Sequence, residues 1–268
     1  MCIVSVHKTL SGLGQASLIL QKGKRLDPHR LKLSVTTFES TSPSSLILCS
    51  TDAARRQMVA DGEKLWTKTI ELADKVRRTL SDEDGIFIYD SKLEGRPGVF
   101  RFDKTKIVID VSKLGVTGFK IGDRLDSEHN IMVELADEQR IAALLTFADD
   151  EETVGRLVAA LREVFAWARS QPREVHQLPT LKEICTEEVI EPGKAWYHKT
   201  KTVSLQQAEN EIAAEMLSPY PPGIPRVVPG ERITKALVEF LKTVQSMGMY
   251  VDAIDPTLKS IRVVDFSA

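Results

Sequence analysis

The sequence predicts an α/β protein, and three observations carry that expectation. Short apolar runs of strand length open the chain and recur after residue 85. A long charged stretch from Ser44 to Leu80 repeats its apolar residues near the helical period. Between residues 85 and 170 the pattern reads strand, strand, helix, strand, strand, helix, the order of an α+β unit. A chain of 268 residues can bury a full core, as one large domain or two smaller ones.

Taken in order, "MCIV" and "QASLILQKG" read as strands, the second closed by Lys22-Gly23. "RLDPHRLKLSVTTFESTSPSS" is polar and turn-rich, punctuated by Pro28 and Pro43. From Ser44 to Leu80 the period predicts one long helix, or two in line with a bend at Gly62. "GIFIYD" and "KTKIVIDVS" read as strands, "TGFKIGDRLDSEHN" as a helix, and "IMVELAD" and "IAALLTF" as two more strands. "DDEETVGRLVAALREVFAWARSQ" is a helix whose acidic first turn suits the macrodipole. "EEVIEPGKAWYHKTKTVS" reads as a connector, and "SLQQAENEIAAEML" as a helix capped by Ser204. The proline-dense "SPYPPGIPRVVPGERIT" stops it, and "ITKALVEFLKTVQSMG" is a last amphipathic helix.

Composition narrows the function. Against 38 acidic residues stand 36 Lys and Arg, so no basic excess serves a nucleic-acid backbone, and nucleic acid is not expected as a partner. No apolar run reaches the roughly 18 residues of a membrane span, and the start has neither a signal nor a transit pattern. Cys2, Cys49 and Cys185 lack pair spacing, and the five histidines, His176 among them, are dispersed. A disulfide framework or a metal site is therefore not expected, and a reducing, cytoplasmic setting is. Trp66, Trp167 and Trp196 read as packing residues, "KLGVTG" is too sparse for a phosphate loop, and "DDEE" at 149–152 is a solvated helix start.

One stretch stands out: "SVHKTLSGLGQ" at residues 5–15 frames Lys8 with His7 before it and small residues after it. A lysine attacks carbonyls only when part of its population is neutral, which desolvation or neighbouring positive charge promotes. Placed at a strand end, Lys8 could be so held. His7 supplies an imidazole that stacks or shuttles protons, and Ser5, Thr9 and Ser11 supply hydroxyls suited to a phosphate. These are the ingredients of a lysine that binds pyridoxal phosphate; an ordinary surface lysine has the same neighbours.

"SVHKTLSGLGQASLIL" closely resembles the Ser-x-His-Lys segment around the cofactor lysine of the group III ornithine/lysine/arginine decarboxylases. These are pyridoxal-phosphate enzymes of the aspartate-aminotransferase-like fold. "ESTSPSSLILCSTDAAR" resembles their Thr-Ser-Pro turn and the helix after it, and "AAEMLSPYPPGIPRVVPGERIT" their C-terminal proline-rich signature. The likeness spans essentially the whole chain. It implies the C-terminal part of a fold type I large domain (1–80), an α+β small domain (81–172) and an Orn/Lys/Arg decarboxylase C-terminal domain with its helical and proline-rich segment (173–268).

The resemblance also implies roles. Lys8 would form a Schiff base with pyridoxal 5′-phosphate, with Ser5 a phosphate ligand and His7 beside the cofactor. Thr41 and Ser42 would reach the phosphate of a neighbouring subunit, which implies a homodimer or higher oligomer with shared sites; read alone, "STSPSS" is a turn in which Ser42 or Ser44 caps the next helix. Tyr220 and Glu231 would face a basic amino-acid substrate, a carboxylate suiting its distal cation; read alone, Glu231 sits at a helix N-terminus. The implied reaction is decarboxylation of arginine, lysine or ornithine to the amine, a lyase step related to polyamines.

Only seven residues precede Lys8, whereas the family carries a long segment there with a ring-stacking aromatic group, an Asp/His pair and a phosphate turn. The chain is therefore expected to represent the C-terminal portion of such an enzyme, the alternative being a truncated, non-catalytic paralogue that acts as a pseudo-subunit. A plastid address lost with that front end is the alternative to the cytoplasm.

Overall fold

Two short apolar runs near the front of the chain pair with each other. In a computed structural model that describes residues 1–173, 178–180, 182–220 and 223–267, Cys2–Ser5 (β1) and Ser17–Leu20 (β2) form an antiparallel ribbon, with Cys2 opposite Leu20 and Ser5 opposite Ser17. A single helical turn, Val6–Thr9 (α1), follows β1. Next come Pro28–Phe38 (α2) and the 36-residue Ser45–Leu80 (α3). The chain divides into two compact units, and this first one comprises Met1–Leu72 with Leu145–Asp150. Its apolar centre is small: Val6, Ala16 and Ala54 are buried, with Leu10, Leu18 and Ile47 against them. Trp66 packs edge-on to Phe147, the packing role expected of it.

The second unit comprises Ala73–Leu144 and Glu151–Ala268. Phe87–Ile88 (β3), Lys106–Asp110 (β4), Leu135–Ala136 (β5) and Arg140–Leu144 (β6) form an antiparallel sheet in the order β3-β4-β6-β5. Residues in β4 alternate, Ile107 and Ile109 pointing into the core, as a half-buried strand must. Gly118–His129 (α4) and Glu151–Ser170 (α5) supply Ile121, Leu125, Leu161, Val164 and Phe165, all buried. Thr117 caps α4 by accepting from the Lys120 N–H, and Asn130 closes it in the left-handed conformation. The Arg124 guanidinium lies 4.4 Å from the centre of the Trp167 ring. The glycines of "KLGVTG" are packing devices: a Cβ on Gly115 would meet the Gln171 carbonyl at 2.5 Å, and one on Gly118 those of Asp137 and Arg140 at 2.4 Å.

The rest of this unit builds three further strand pairs. Glu187–Glu188 (β7) precedes Pro192–Tyr197 (α6) and Thr200–Ser204 (β8); Ser218–Tyr220 (β9) and Glu231–Arg232 (β10) precede Lys235–Ser246 (α7); Tyr250–Asp252 (β11) and Ser260–Val264 (β12) close the chain. β8 pairs with β12, β9 with β11 and β7 with β10, all antiparallel. Leu205, Leu217, Ile233, Leu237, Leu241 and Ile261 belong to one core cluster here. In the loop before β12, Asp255 accepts from the Thr257 N–H and hydroxyl (3.0 and 2.6 Å) and from the Ser260 N–H and hydroxyl (both 3.0 Å). These donors, the Thr257 hydroxyl foremost, hold its carboxyl down at about 2.

Several expectations need correction. The segment read as turn-rich contains α2, started by Asp27 accepting from the His29 N–H with Pro28 at the first helical position. Leu31, Val35 and Phe38 recur at helical spacing in it, but no residue of α2 is fully buried. Helix α3 runs through Gly62 unbroken. The helix expected from Ser204 lasts one 3₁₀ turn, Leu205–Gln207, although Ser204 does form a capping box with Gln207. Asn210 then turns left-handed, and Ile212 and Ala213 bridge to Arg232 and Val263, because strand pairing in this unit overrides local helical period. The connector "EEVIEPGKAWYHKTKTVS" holds β7, α6 and β8. Trp196 is 64% exposed and is not a core residue. His176, Pro221 and Pro222 lie outside the described residues.

Two measurements follow. Gly118→Ala should lower stability to urea by about 1–3 kcal/mol, because backbone carbonyls must move; Gly155→Ala, on α5 with nothing within 4 Å of the added methyl, should raise it by about 0.5–1 kcal/mol. The Asp255 carboxyl is lowered relative to an unfolded value of about 3.9, so its contribution is present above about pH 4 and lost as pH falls toward 2. Asp255→Asn should therefore lose less stability than the wild-type chain over that acid interval, followed by circular dichroism.

Candidate active site

The β1–β2 ribbon places three chemically useful side chains in one short run. Ser5 ends β1, and His7 and Lys8 follow in α1. Val6, between them, turns inward and is buried, so its neighbours His7 and Lys8 are left on the exposed side. The loop that returns to β2 is tight. Ser11 and Gln15 adopt positive φ, and a Cβ on Gly12 would stand 2.8 Å from Val6 Cγ1 and 2.9 Å from Ala16 Cβ. The Leu10 and Gly12 N–H groups donate to the Val6 carbonyl, and Leu13 N–H donates to Ser50 Oγ on α3 at 3.1 Å.

His7 is fixed twice to the same residue. Its backbone N–H donates to the Ala16 carbonyl at 3.3 Å, and its Nδ1 lies 2.9 Å from that oxygen. A carbonyl only accepts, so Nδ1 carries the hydrogen and the neutral ring keeps a lone pair on Nε2. The Ser5 hydroxyl makes no hydrogen bond with a described residue and does not cap α1. Lys8 is exposed, so burial within this chain does not supply the desolvation expected of it.

Thr41 and Ser42 lie in the bend between α2 and α3, both exposed. The Ser42 N–H donates to Ser40 Oγ at 3.2 Å, and it is the carbonyl of Ser44, directly before α3, that takes up the Leu48 N–H. They belong to the same unit as Lys8.

Tyr220 and Glu231 belong to the second unit and part company there. Tyr220, opposite Tyr250 across the β9–β11 pair, lines a cavity of about 260 Å³ with Asp123, Asp126 and Met132. Burial, with Asp126 adding to it, pushes the Asp123 carboxyl up from its ordinary value. Glu231 is not among the walls of that cavity; its Oε2 accepts from the Val228 N–H at 2.8 Å and ties off the proline-rich loop. Nor does Glu231 start a helix, since Thr234 caps α7. Sequence reading passed over Arg226 in that loop, whose buried Nε has no partner among the described residues.

With this geometry in place, comparison with known proteins defines the class. The structure superimposes on the Escherichia coli constitutive lysine decarboxylase with a TM-score of 0.72 at 21% identity, covering 98% of this chain and 49% of that one. It superimposes on the Francisella novicida lysine decarboxylase with a TM-score of 0.69 at 22% identity, covering 98% and 48%. The fold is thus the mixed α/β fold of those proteins. Residues 1–106 match the Orn/Lys/Arg decarboxylase major domain, and residues 180–253 match the Orn/Lys/Arg decarboxylase C-terminal domain. The chain belongs to the Orn/Lys/Arg decarboxylase family. It is 31% identical to a Bacillus anthracis arginine decarboxylase over 98% of this chain and 54% of the relative. It is 33% identical to the Bacillus subtilis arginine decarboxylase over 97% of this chain and 53% of the relative. The chain spans about half the length of the curated relatives it matches.

The proton placement on His7 is directly measurable. Nitrogen-15 NMR of the histidine rings above pH 8 should show the Nδ1–H tautomer for His7, and Gly replacement of His7 should remove that signal alone. A dominant Nε2–H form would contradict the Ala16 hydrogen bond.

Proposed function

We propose that this chain carries the cofactor-lysine segment and the C-terminal domain of a pyridoxal-phosphate-dependent decarboxylase of basic amino acids, a carbon–carbon lyase whose product is an amine of the polyamine type. The observation that supports this most is the presentation of Ser5, His7 and Lys8 together on the β1–β2 ribbon of a chain that matches both family domains. Relatives named arginine decarboxylase and lysine decarboxylase favour a substrate with a distal cation. On this reading residues 1–80 are part of the large domain, 81–172 the small domain and 173–268 the C-terminal domain.

The donor set fits the cofactor: an uncommitted hydroxyl on Ser5, an exposed lysine and an imidazole with a fixed tautomer lie within four residues. Bound there, pyridoxal 5′-phosphate supplies an electron sink for the bond that loses carbon dioxide. Lys8 Nζ is the group that would hold it covalently, and the Ser5 hydroxyl would donate to its phosphate. His7 Nε2, with its lone pair free of the Ala16 contact, can accept or return a proton. Thr41 and Ser42 are exposed hydroxyls that would serve the phosphate of a second subunit in a homodimer. The Glu231 carboxylate, expected to take up the substrate's distal cation, is already engaged by a backbone N–H.

A second reading, a non-catalytic pseudo-subunit that associates with a full-length relative, is favoured by the apolar side chains the first unit leaves exposed, such as Ile3, Leu33 and Phe38. One experiment addresses both readings. The chain is incubated with pyridoxal phosphate, reduced with borohydride and digested, and carbon dioxide release from arginine, lysine and ornithine is measured in parallel. Cofactor mass on the Lys8 peptide, lost in Lys8→Ala, together with carbon dioxide release supports the enzyme. Label without release supports the pseudo-subunit, and no label on the wild-type chain ends the cofactor assignment.

A further inference from the structure

A crevice of about 300 Å³ in the C-terminal part of the chain carries chemistry that the decarboxylase reading does not use. Its volume sits at the lower end of the range for small-molecule sites, roughly 300–1,000 Å³. Trp196 of α6, Met216 before β9 and Ile254 after β11 line it, 64%, 50% and 62% exposed. Three large apolar side chains left open to solvent around one concavity form a surface that a ligand would cover.

The polar walls carry both signs of charge. Asp252 ends β11, and its carboxylate has no hydrogen bond or ion pair with any described residue. Arg262 of β12 spends one guanidinium nitrogen on the Thr200 hydroxyl, at 2.6 Å. Its other nitrogens have no partner among the described residues. An acid and a base thus line one crevice without pairing with each other. Two opposite charges in a site with apolar walls are complementary to a molecule that also carries both.

The floor makes the arrangement rigid. Glu215 is buried, 4% exposed, and its two carboxylate oxygens are both engaged: Oε2 accepts from the Ile254 N–H at 2.8 Å and Oε1 from the Arg262 N–H at 2.6 Å. One side chain therefore fixes the wall bearing Ile254 and the strand bearing Arg262.

We propose that this crevice binds a small zwitterionic amino acid with an apolar side chain. The ammonium faces Asp252, the carboxylate meets the open nitrogens of Arg262, and the side chain lies against Trp196, Met216 and Ile254. Among the described residues that line it there is no further carboxylate free for a distal cation, which separates its ligand from a basic amino-acid substrate.

Isothermal titration calorimetry on the full chain tests this with L-leucine as the probe, beside isoamylamine, which lacks the carboxylate, and 4-methylvalerate, which lacks the amine. Leucine should bind in the millimolar range or tighter, with each analogue at least about tenfold weaker. Asp252→Asn should weaken leucine about tenfold while leaving 4-methylvalerate unchanged or tighter, and Arg262→Gln should do the reverse with respect to isoamylamine. Both side chains are exposed, so neither change removes core packing. Lys8→Ala should bind leucine as the wild type does, which keeps this result separate from the cofactor experiment. No heat with leucine at 10 mM, analogues that bind as well as leucine, or variants that bind it unchanged would each overturn the assignment.

Discussion

The pairing of Cys2–Ser5 with Ser17–Leu20 is the constraint on which the chemistry of this chain depends. Four residues against four fix where the chain turns, and the turn fixes which side chains are offered outward. Val6 is drawn under the loop, and His7 is tied by backbone and ring to the single carbonyl of Ala16. Lys8 follows on the exposed side. The ribbon is short and its apolar centre is three small residues, so the loop relies on hydrogen bonds more than on burial.

The second unit works the other way round. Its isoleucines, leucines and valines fill its interior, and a buried carboxylate there is satisfied by backbone donors. That carboxylate belongs to Glu215. A carboxylate with almost no water contact is costly unless both oxygens are engaged, and here two backbone amides engage them. Gly115 and Gly118 do the matching steric job, allowing carbonyls to approach where any side chain would collide.

How much of this was legible in the sequence depended on whether local pattern and tertiary environment agreed. They agree in α5, where Val154, Leu157, Leu161 and Val164 recur on one face and Glu151 and Glu152 open the first turn. They agree in β4, whose alternating isoleucines are buried. Local pattern misled at 204–217: Ile212, Ala213 and Leu217 have helical spacing, but each is buried through strand-like bridges. It was silent for β8, since "TKTVS" has one apolar residue and gains its structure from β12 some sixty residues on. Ser5, His7 and Lys8 could be singled out because they are contiguous and resemble a known motif. The crevice around Glu215 could not, because its walls come from separate stretches between Trp196 and Arg262 that only the fold assembles.

The bare surface of the first unit has a practical corollary. Helix α2 buries none of its side chains fully, Phe38 is 89% exposed, and Leu33, Leu46 and Val59 are exposed as well. Such a surface wets poorly and adheres to whatever greasy material it meets, whether dye, detergent, vessel wall or another molecule. The colloidal behaviour of the purified chain will accordingly be dictated by dilution and by the choice of additives, well before its melting temperature becomes relevant.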